Sequence, residues 1–183
     1  MKNSYRSSDA HPVAVTAAGL SREMVELIED ILAGGLKLRI RATGKSMTPF
    51  LRGCEILTIK KSPDCSLRKG DLIFSRKPGC HPVLHRIIDI QQSGDGRIYC
   101  RTKGDALDAA DEPVTGAEIL GKVCRIEDSA AMPGLKQIDL ESHFWGNANY
   151  AYAFFLRVMS RSRSLASGAL IYFREMSGAR EGS

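Results

Sequence analysis

Leu36-Lys37-Leu38-Arg39-Ile40-Arg41-Ala42-Thr43 runs directly into Gly44-Lys45-Ser46-Met47-Thr48-Pro49, and the two halves of this stretch follow different rules. In the first half Leu36, Leu38, Ile40 and Ala42 alternate with Lys37, Arg39 and Arg41, the period-two pattern of a half-buried strand. In the second half the alternation stops. Gly44 lets the chain turn without a Cβ penalty, Pro49 fixes a backbone angle shortly after, and Met47 can plug into the core to anchor the bend. The strand therefore delivers Ser46 onto a tight bend.

Further strand-like runs follow at Glu55–Lys60, Asp71–Arg76, Val83–Ile90, Arg97–Thr102 and Glu118–Ile126, separated by polar or glycine-bearing turns such as Lys69-Gly70-Asp71. Short strands without long helices between them predict a mainly β domain, a coiled sheet or partial barrel from about residue 36 to about residue 127. Upstream, Met24, Leu27, Ile28, Ile31 and Leu32 recur at helical steps from Ser21 to Leu32; Ser21 can cap the start, and Gly34 and Gly35 can end it. Downstream, after Met132-Pro133-Gly134, the stretch from Phe144 to Phe173 is rich in aromatic residues and arginine and predicts helices. These helices either cover the sheet as core or lie along a membrane surface. The chain thus divides into a disordered tail over 1–20, a domain with its leading helix over 21–130, and a helical extension over 131–183.

At 183 residues the chain can bury a core without staples. Its five cysteines, Cys54, Cys65, Cys80, Cys100 and Cys124, are odd in number and contain no C-x-x-C pair, which predicts free thiols in a reducing compartment. The net charge is +5, but basic residues are interspersed with acidic ones, the pattern of a solvated surface, and no nucleic-acid partner is expected. The polar N-terminus lacks the apolar run of a signal peptide, and no stretch approaches about 18 uninterrupted apolar residues. The expected location is cytoplasmic or peripheral at a membrane.

A serine hydroxyl is a poor nucleophile at neutral pH unless a base lies near it and the backbone holds it in place. The candidate base is His85 in Val83-Leu84-His85-Arg86-Ile87-Ile88, which strand alternation groups with Val83 and Ile87 on one face. Carboxylates follow in Thr102-Lys103-Gly104-Asp105-Ala106-Leu107-Asp108 and at Asp111. Peptide-bond hydrolysis is the leading expectation. Cys80, His81 and His85 lie close in sequence, but their spacing matches no zinc motif and no fourth ligand follows, so neither a metal nor any other cofactor is expected. Gly44-Lys45-Ser46 lacks the upstream glycine-rich loop of a nucleotide-binding motif.

The ordered series of Gly44-Lys45-Ser46-Met47-Thr48-Pro49, the Lys69-Gly70-Asp71 turn, His85-Arg86 and Lys103-Gly104-Asp105 through Asp111 resembles the superfamily of signal peptidases and self-cleaving repressors of the LexA type. The resemblance covers about Leu36 to Val123. It implies a sheet of that type, a serine endopeptidase activity, and Ser46 as nucleophile, with Gly44, Met47 and Arg86 as supporting residues. Having histidine rather than lysine before the arginine, the chain is similar to the Ser/His branch, which comprises the endoplasmic-reticulum and archaeal signal peptidases. A lysine base needs strong desolvation to lose its proton at neutral pH, whereas a histidine does not.

By the same resemblance Asp111 orients His85, Asp105 supports the site through hydrogen bonds, and Asp108 is the less favoured alternative. Leu107 stands where that branch carries asparagine. The backbone N–H of Ser46 is the first oxyanion donor, with a neighbouring loop or the side chain of Lys45 or Thr48 as a second. The substrate implied is a leader or signal-like segment of another chain, with small residues before the cleaved bond, pairing along Leu36–Thr43. Two alternatives stay open: a regulator that cleaves itself, for example at Ala33-Gly34, and a peptide-binding module without catalysis. A further partner expected from the sequence is a membrane surface, contacted peripherally through 144–173.

Overall fold

The computed structural model describes residues 13–14, 20–63, 66–76, 81–127, 134 and 137–158. Its strands are β1 (Val13–Ala14), β2 (Leu38–Arg41), β3 (Ile56–Lys60), β4 (Leu72–Ser75), β5 (Val83–Gln92), β6 (Ile98–Lys103), β7 (Val114–Thr115), β8 (Ile119–Glu127) and β9 (Gln137–Asp139). A helix α1 (Arg22–Ala33) precedes β2, and a helix α2 over 143–158 follows β9. All nine strands join one sheet in the order β1-β2-β3-β8-β4-β5-β6-β7, with β9 on β8. The pairings are antiparallel except for β1, which runs parallel to β2.

The sheet curls into a half-barrel. Its ladders slip between Thr58 and Ile59, between Phe74 and Ser75, and between Ile87 and Asp89. Such irregularities bend a strand and add local twist. The long β8 organises the curl, since one edge pairs with β3 while the other pairs first with β4 and then with β9.

Both faces of the sheet are covered. On β4, Leu72 and Phe74 belong to the larger apolar cluster with Ile40, Leu57 and Val123, whereas Ile73 between them belongs to a second cluster with Ile87, Cys100 and Val114. That is the alternation of a strand, with apolar residues on each side. It explains why β5 is buried continuously from His85 to Asp89 rather than at every second residue.

Ser21 caps α1, its side chain accepting a hydrogen bond from the Met24 N–H at 3.3 Å, and Gly34 closes the other end. The buried stripe differs from the expected one: Val25, Ile28 and Leu32 are buried, while Met24 and Leu27 are 41% and 53% exposed. The seat is set from the start of the helix, because Leu20 precedes the cap and Val25 sits four residues into the helix, the two positions of a hydrophobic staple. Both are buried in the larger cluster.

Two residues of the tail read as disordered form β1; the rest of 1–19 lies outside the described residues. The strand expected from Leu36 begins at Leu38, and Leu36 is 63% exposed. One C-terminal helix is described, and the expected continuation from 159 to Phe173 lies outside the described residues. The short β9 before it was not anticipated and pairs within the main sheet. Among the described residues no helix is long and apolar enough to cross a membrane.

Candidate active site

Ser46 and His85 line the same cavity, of about 100 Å3, whose apolar wall includes Ile40, Ala42, Leu57 and Phe74. The bend that carries Ser46 is fixed at several points. Met47 is buried in the larger cluster, and its carbonyl accepts the Leu51 N–H at 2.9 Å. The Ser46 carbonyl accepts the Ala106 N–H at 2.8 Å, which ties the bend to the loop after β6.

A third anchor was not foreseen from the sequence. Glu55 is fully buried, and its carboxylate accepts the backbone N–H groups of Arg52, Gly53 and Cys54 at 2.9, 2.9 and 3.1 Å. A carboxylate holding consecutive N–H groups rigidifies the turn strongly, because each bond is charge-assisted. This turn presses on the start of the Ser46 bend: a Cβ at Gly53 would stand 2.7 Å from the Gly44 carbonyl oxygen, and Gly53 and Gly44 both have positive φ, +91° and +88°. Any side chain at Gly53 would push the bend away. The sequence signal for Glu55 is slight, a charged residue at the head of an apolar strand.

His85 is 6% exposed. Its Nδ1 lies 2.6 Å from Asp111 Oδ2, which also accepts the Thr102 hydroxyl at 2.7 Å. The Asp111 N–H donates to the Thr102 carbonyl at 2.8 Å, so the carboxylate is set by the end of β6. A carboxylate oxygen accepts, so in this contact the His85 Nδ1 is the donor. Of the carboxylates in the loop after β6, Asp111 meets His85, Asp105 meets a different partner, and Asp108 is exposed.

That partner is Arg86. Its guanidinium makes a two-pronged contact with Asp105 at 2.9 and 2.8 Å, and donates to the Gly70 carbonyl at 3.1 Å and to Asn149 Oδ1 at 2.9 Å. Phe50 and Tyr152 pack against it, with ring centres 4.6 and 4.9 Å from its central carbon. Arg86 thus fastens together the Ser46 bend through Phe50, the turn before β4 through Gly70, the loop after β6 through Asp105, and α2 through Asn149 and Tyr152. Burial, and then the charge of Asp105, raise the Tyr152 phenol above its usual pKa, with Arg86 acting in the opposite sense. Tyr152 therefore stays neutral against the guanidinium.

Thr48, expected as one candidate for a second oxyanion donor, turns its hydroxyl to the Leu51 carbonyl at 3.4 Å, and Lys45 is exposed. Among the described residues no group of histidine, cysteine and carboxylate side chains is placed to hold a metal ion; Cys80 lies outside them. Cys54, Cys100 and Cys124 are not in disulfides. Ala33 and Gly34, the dipeptide considered for self-cleavage, sit at the helical end of α1, where the Gly34 N–H donates to the Asp30 carbonyl at 2.9 Å.

No family model matches this chain. Signal peptidase I W of Bacillus subtilis is 36% identical to it over 76 residues. The matched stretch is 40% of this chain and 40% of that protein, so the chain spans well under half the length of the curated relative it matches. Over this stretch the chain is similar to a signal peptidase, and that likeness supports a relationship to the signal peptidases.

Proposed function

We propose that this protein is a serine endopeptidase of signal-peptidase type that hydrolyses a peptide bond in a leader or signal-like segment of another chain. The observation that carries the reading is the His85–Asp111 contact of 2.6 Å at the wall of the cavity that Ser46 also lines. His85 Nε2 takes the proton of the Ser46 hydroxyl as the oxygen attacks the substrate carbonyl, and Asp111 stabilises the imidazolium that forms. The Ser46 N–H serves the oxyanion. His85 then returns the proton to the leaving amine, and water, deprotonated by the same imidazole, releases the acyl group from Ser46.

The cavity suits a small side chain before the cleaved bond, since it is narrow and its wall is apolar. A peptide would bind in extended form along the β2 edge opposite β3, taking the place that β1 holds there. Support for this comes from β1: Val13 and Ala14 pair there with Ile40 and Arg41, so that edge accepts an extended chain. The helical setting of Ala33 and Gly34 weighs against self-cleavage at that bond, which needs an extended chain in the site.

The test is cleavage of a panel of leader-like peptides followed by mass spectrometry, with wild type compared against Ser46→Ala, His85→Ala and Asp111→Asn. Cutting at one bond, abolished by the first two changes and slowed by the third, is the expected result. Peptide binding without cleavage in the folded wild type would replace the peptidase reading with that of a binding module.

A further inference from the structure

α2 packs on the sheet through Asn149, Ala153 and Leu156, which are buried, with Trp145 against the larger cluster. Its opposite side carries Phe144, Tyr150, Phe154, Phe155 and Val158, exposed by 71%, 54%, 63%, 55% and 49%. A contiguous apolar face of this size on one short helix is what a monomeric surface avoids unless something covers it. In sequence, the stretch from Ser142 to Arg174 contains no aspartate or glutamate; on the helix itself Arg157 is paired with Asp89 at 2.9 Å.

Beside the face, and sharing Tyr150 with it, lies a cleft of about 790 Å3 lined by Lys60, Lys61, Arg68, Lys69 and Lys122. Two of these basic groups are offset within the cleft, Lys60 by Glu141 at 2.7 Å and Lys122 by Asp71 at 3.2 Å, and Lys69 meets Asp89 at 2.8 Å. Arg68 and Lys61 are exposed, and Lys61 donates to the Ile119 carbonyl. The cleft is therefore basic on balance. Exposed aromatic side chains on one side of a helix, next to lysine and arginine, match the two layers of an anionic bilayer surface: acyl-chain boundary for the rings, headgroups for the cations.

We propose that the outer face of α2 and the adjoining lysine-arginine cleft form a docking surface for an anionic lipid bilayer, on which the protein lies without crossing it. This does not depend on the peptidase reading. The chemistry favours lipid over a protein groove because the apolar layer and the charged layer lie side by side along the helix, as they do across a bilayer interface. Arg86 ties this helix to the Ser46 bend through Asn149 and Phe50, so a bilayer under α2 would hold the cavity at a fixed height above the lipid.

The experiment is co-sedimentation of the full chain, at several salt concentrations, with vesicles of phosphatidylcholine alone and of phosphatidylcholine mixed with phosphatidylglycerol. Binding to the mixed vesicles that falls with salt is expected. Phe154→Ser with Phe155→Ser should weaken it about tenfold or more, since part of each ring leaves an apolar layer. Lys61→Glu with Arg68→Glu should weaken it about fivefold for each basic residue lost. All these side chains are exposed, and an unchanged thermal unfolding midpoint confirms that the variants are folded. Equal binding to both kinds of vesicle, no binding, or binding indifferent to the phenylalanine changes would overturn the proposal. So would a concentration-dependent dimer abolished by the same phenylalanine changes, which would assign the face to a second copy of the chain.

Discussion

Consecutive residues of β5 carry ion pairs of opposite character. The His85–Asp111 pair, 2.6 Å apart, stands at a cavity wall with the Asp111 side chain 28% exposed; the Arg86–Asp105 pair, 2.8 Å apart, is fully buried on both sides. Alternation along a strand turns adjacent side chains to opposite faces. One face then presents an imidazole to the cavity, while the other holds a guanidinium that stays charged. The first pair stands at the cavity wall, and the second is sealed and surrounded by partners. The site is thus supported from behind: the loops bearing Ser46 and Asp111, and the helix α2, meet at the arginine beside the histidine.

The sharpest way to break this division is to remove each partner in turn. With His85→Ala we expect peptide hydrolysis to fall about ten-thousand-fold or more, as when one member of a Ser/His/Asp set is lost. Stability should change by only about 1 kcal/mol, because Asp111 keeps Thr102 and has access to water. Arg86→Met should show the reverse emphasis. It leaves Asp105 buried without its counter-charge, a loss of about 3–5 kcal/mol in chemical denaturation. Adding Asp105→Leu should restore part of that loss, the coupling expected of contacting residues. If Arg86→Met proved as stable as wild type yet inactive, Arg86 would be acting on the chemistry itself and the contrast would fail.

Much of this was legible in the sequence, for identifiable reasons. Strand alternation at Leu38–Arg41 and the turn residues around Gly70 declare the sheet locally, and every strand run from Glu55 onward lies within two residues of an observed strand. The pairing of His85 with Asp111 was readable only through the resemblance, because the residues stand 26 apart in sequence. Glu55 was not legible. Its role comes from backbone N–H groups of the preceding turn, and backbone donors carry no sequence signal. The α1 face was misread because Met24 and Leu27 share the helical period with Val25 and Ile28, and only Leu20 decides which stripe is seated. The docking of α2 on Arg86 was likewise hidden, since it depends on contacts 63 residues apart.

The α2 side of the contrast can be tested more gently at Gly70. A Cβ there would lie 2.5 Å from the Asn149 carbonyl carbon and 2.6 Å from its oxygen, and φ is +98°. The backbone cannot yield as a flexible side chain would, so Gly70→Ala should cost about 1–3 kcal/mol and loosen α2 from Arg86. The chain's single tryptophan, Trp145, sits on that helix against the core, so a red shift of its fluorescence under native conditions reports the loosening directly. A stable Gly70→Ala protein with unshifted emission would show that α2 does not need this close approach.

The smallest expected effect concerns the far end of the same helix. Asp89 meets Lys69 at 2.8 Å and Arg157 of α2 at 2.9 Å. Burial pushes the Asp89 pKa up, but the Lys69 hydrogen bond and the charges of Lys69 and Arg157 outweigh it, so the net shift is downward. A carboxyl with a depressed folded pKa binds its proton less readily when folded than when unfolded. Its stabilisation is therefore complete above the unfolded value of about 3.9 and is lost as pH falls through the lower folded value. Wild type should exceed Asp89→Asn in stability by about 1 kcal/mol or less at neutral pH, the scale of partly exposed ion pairs. The two unfolding curves should converge in acid. A constant gap between them down through that range would mean that the carboxylate charge contributes nothing, and that α2 is held by Arg86 and the apolar contacts of Ala153 and Leu156 alone.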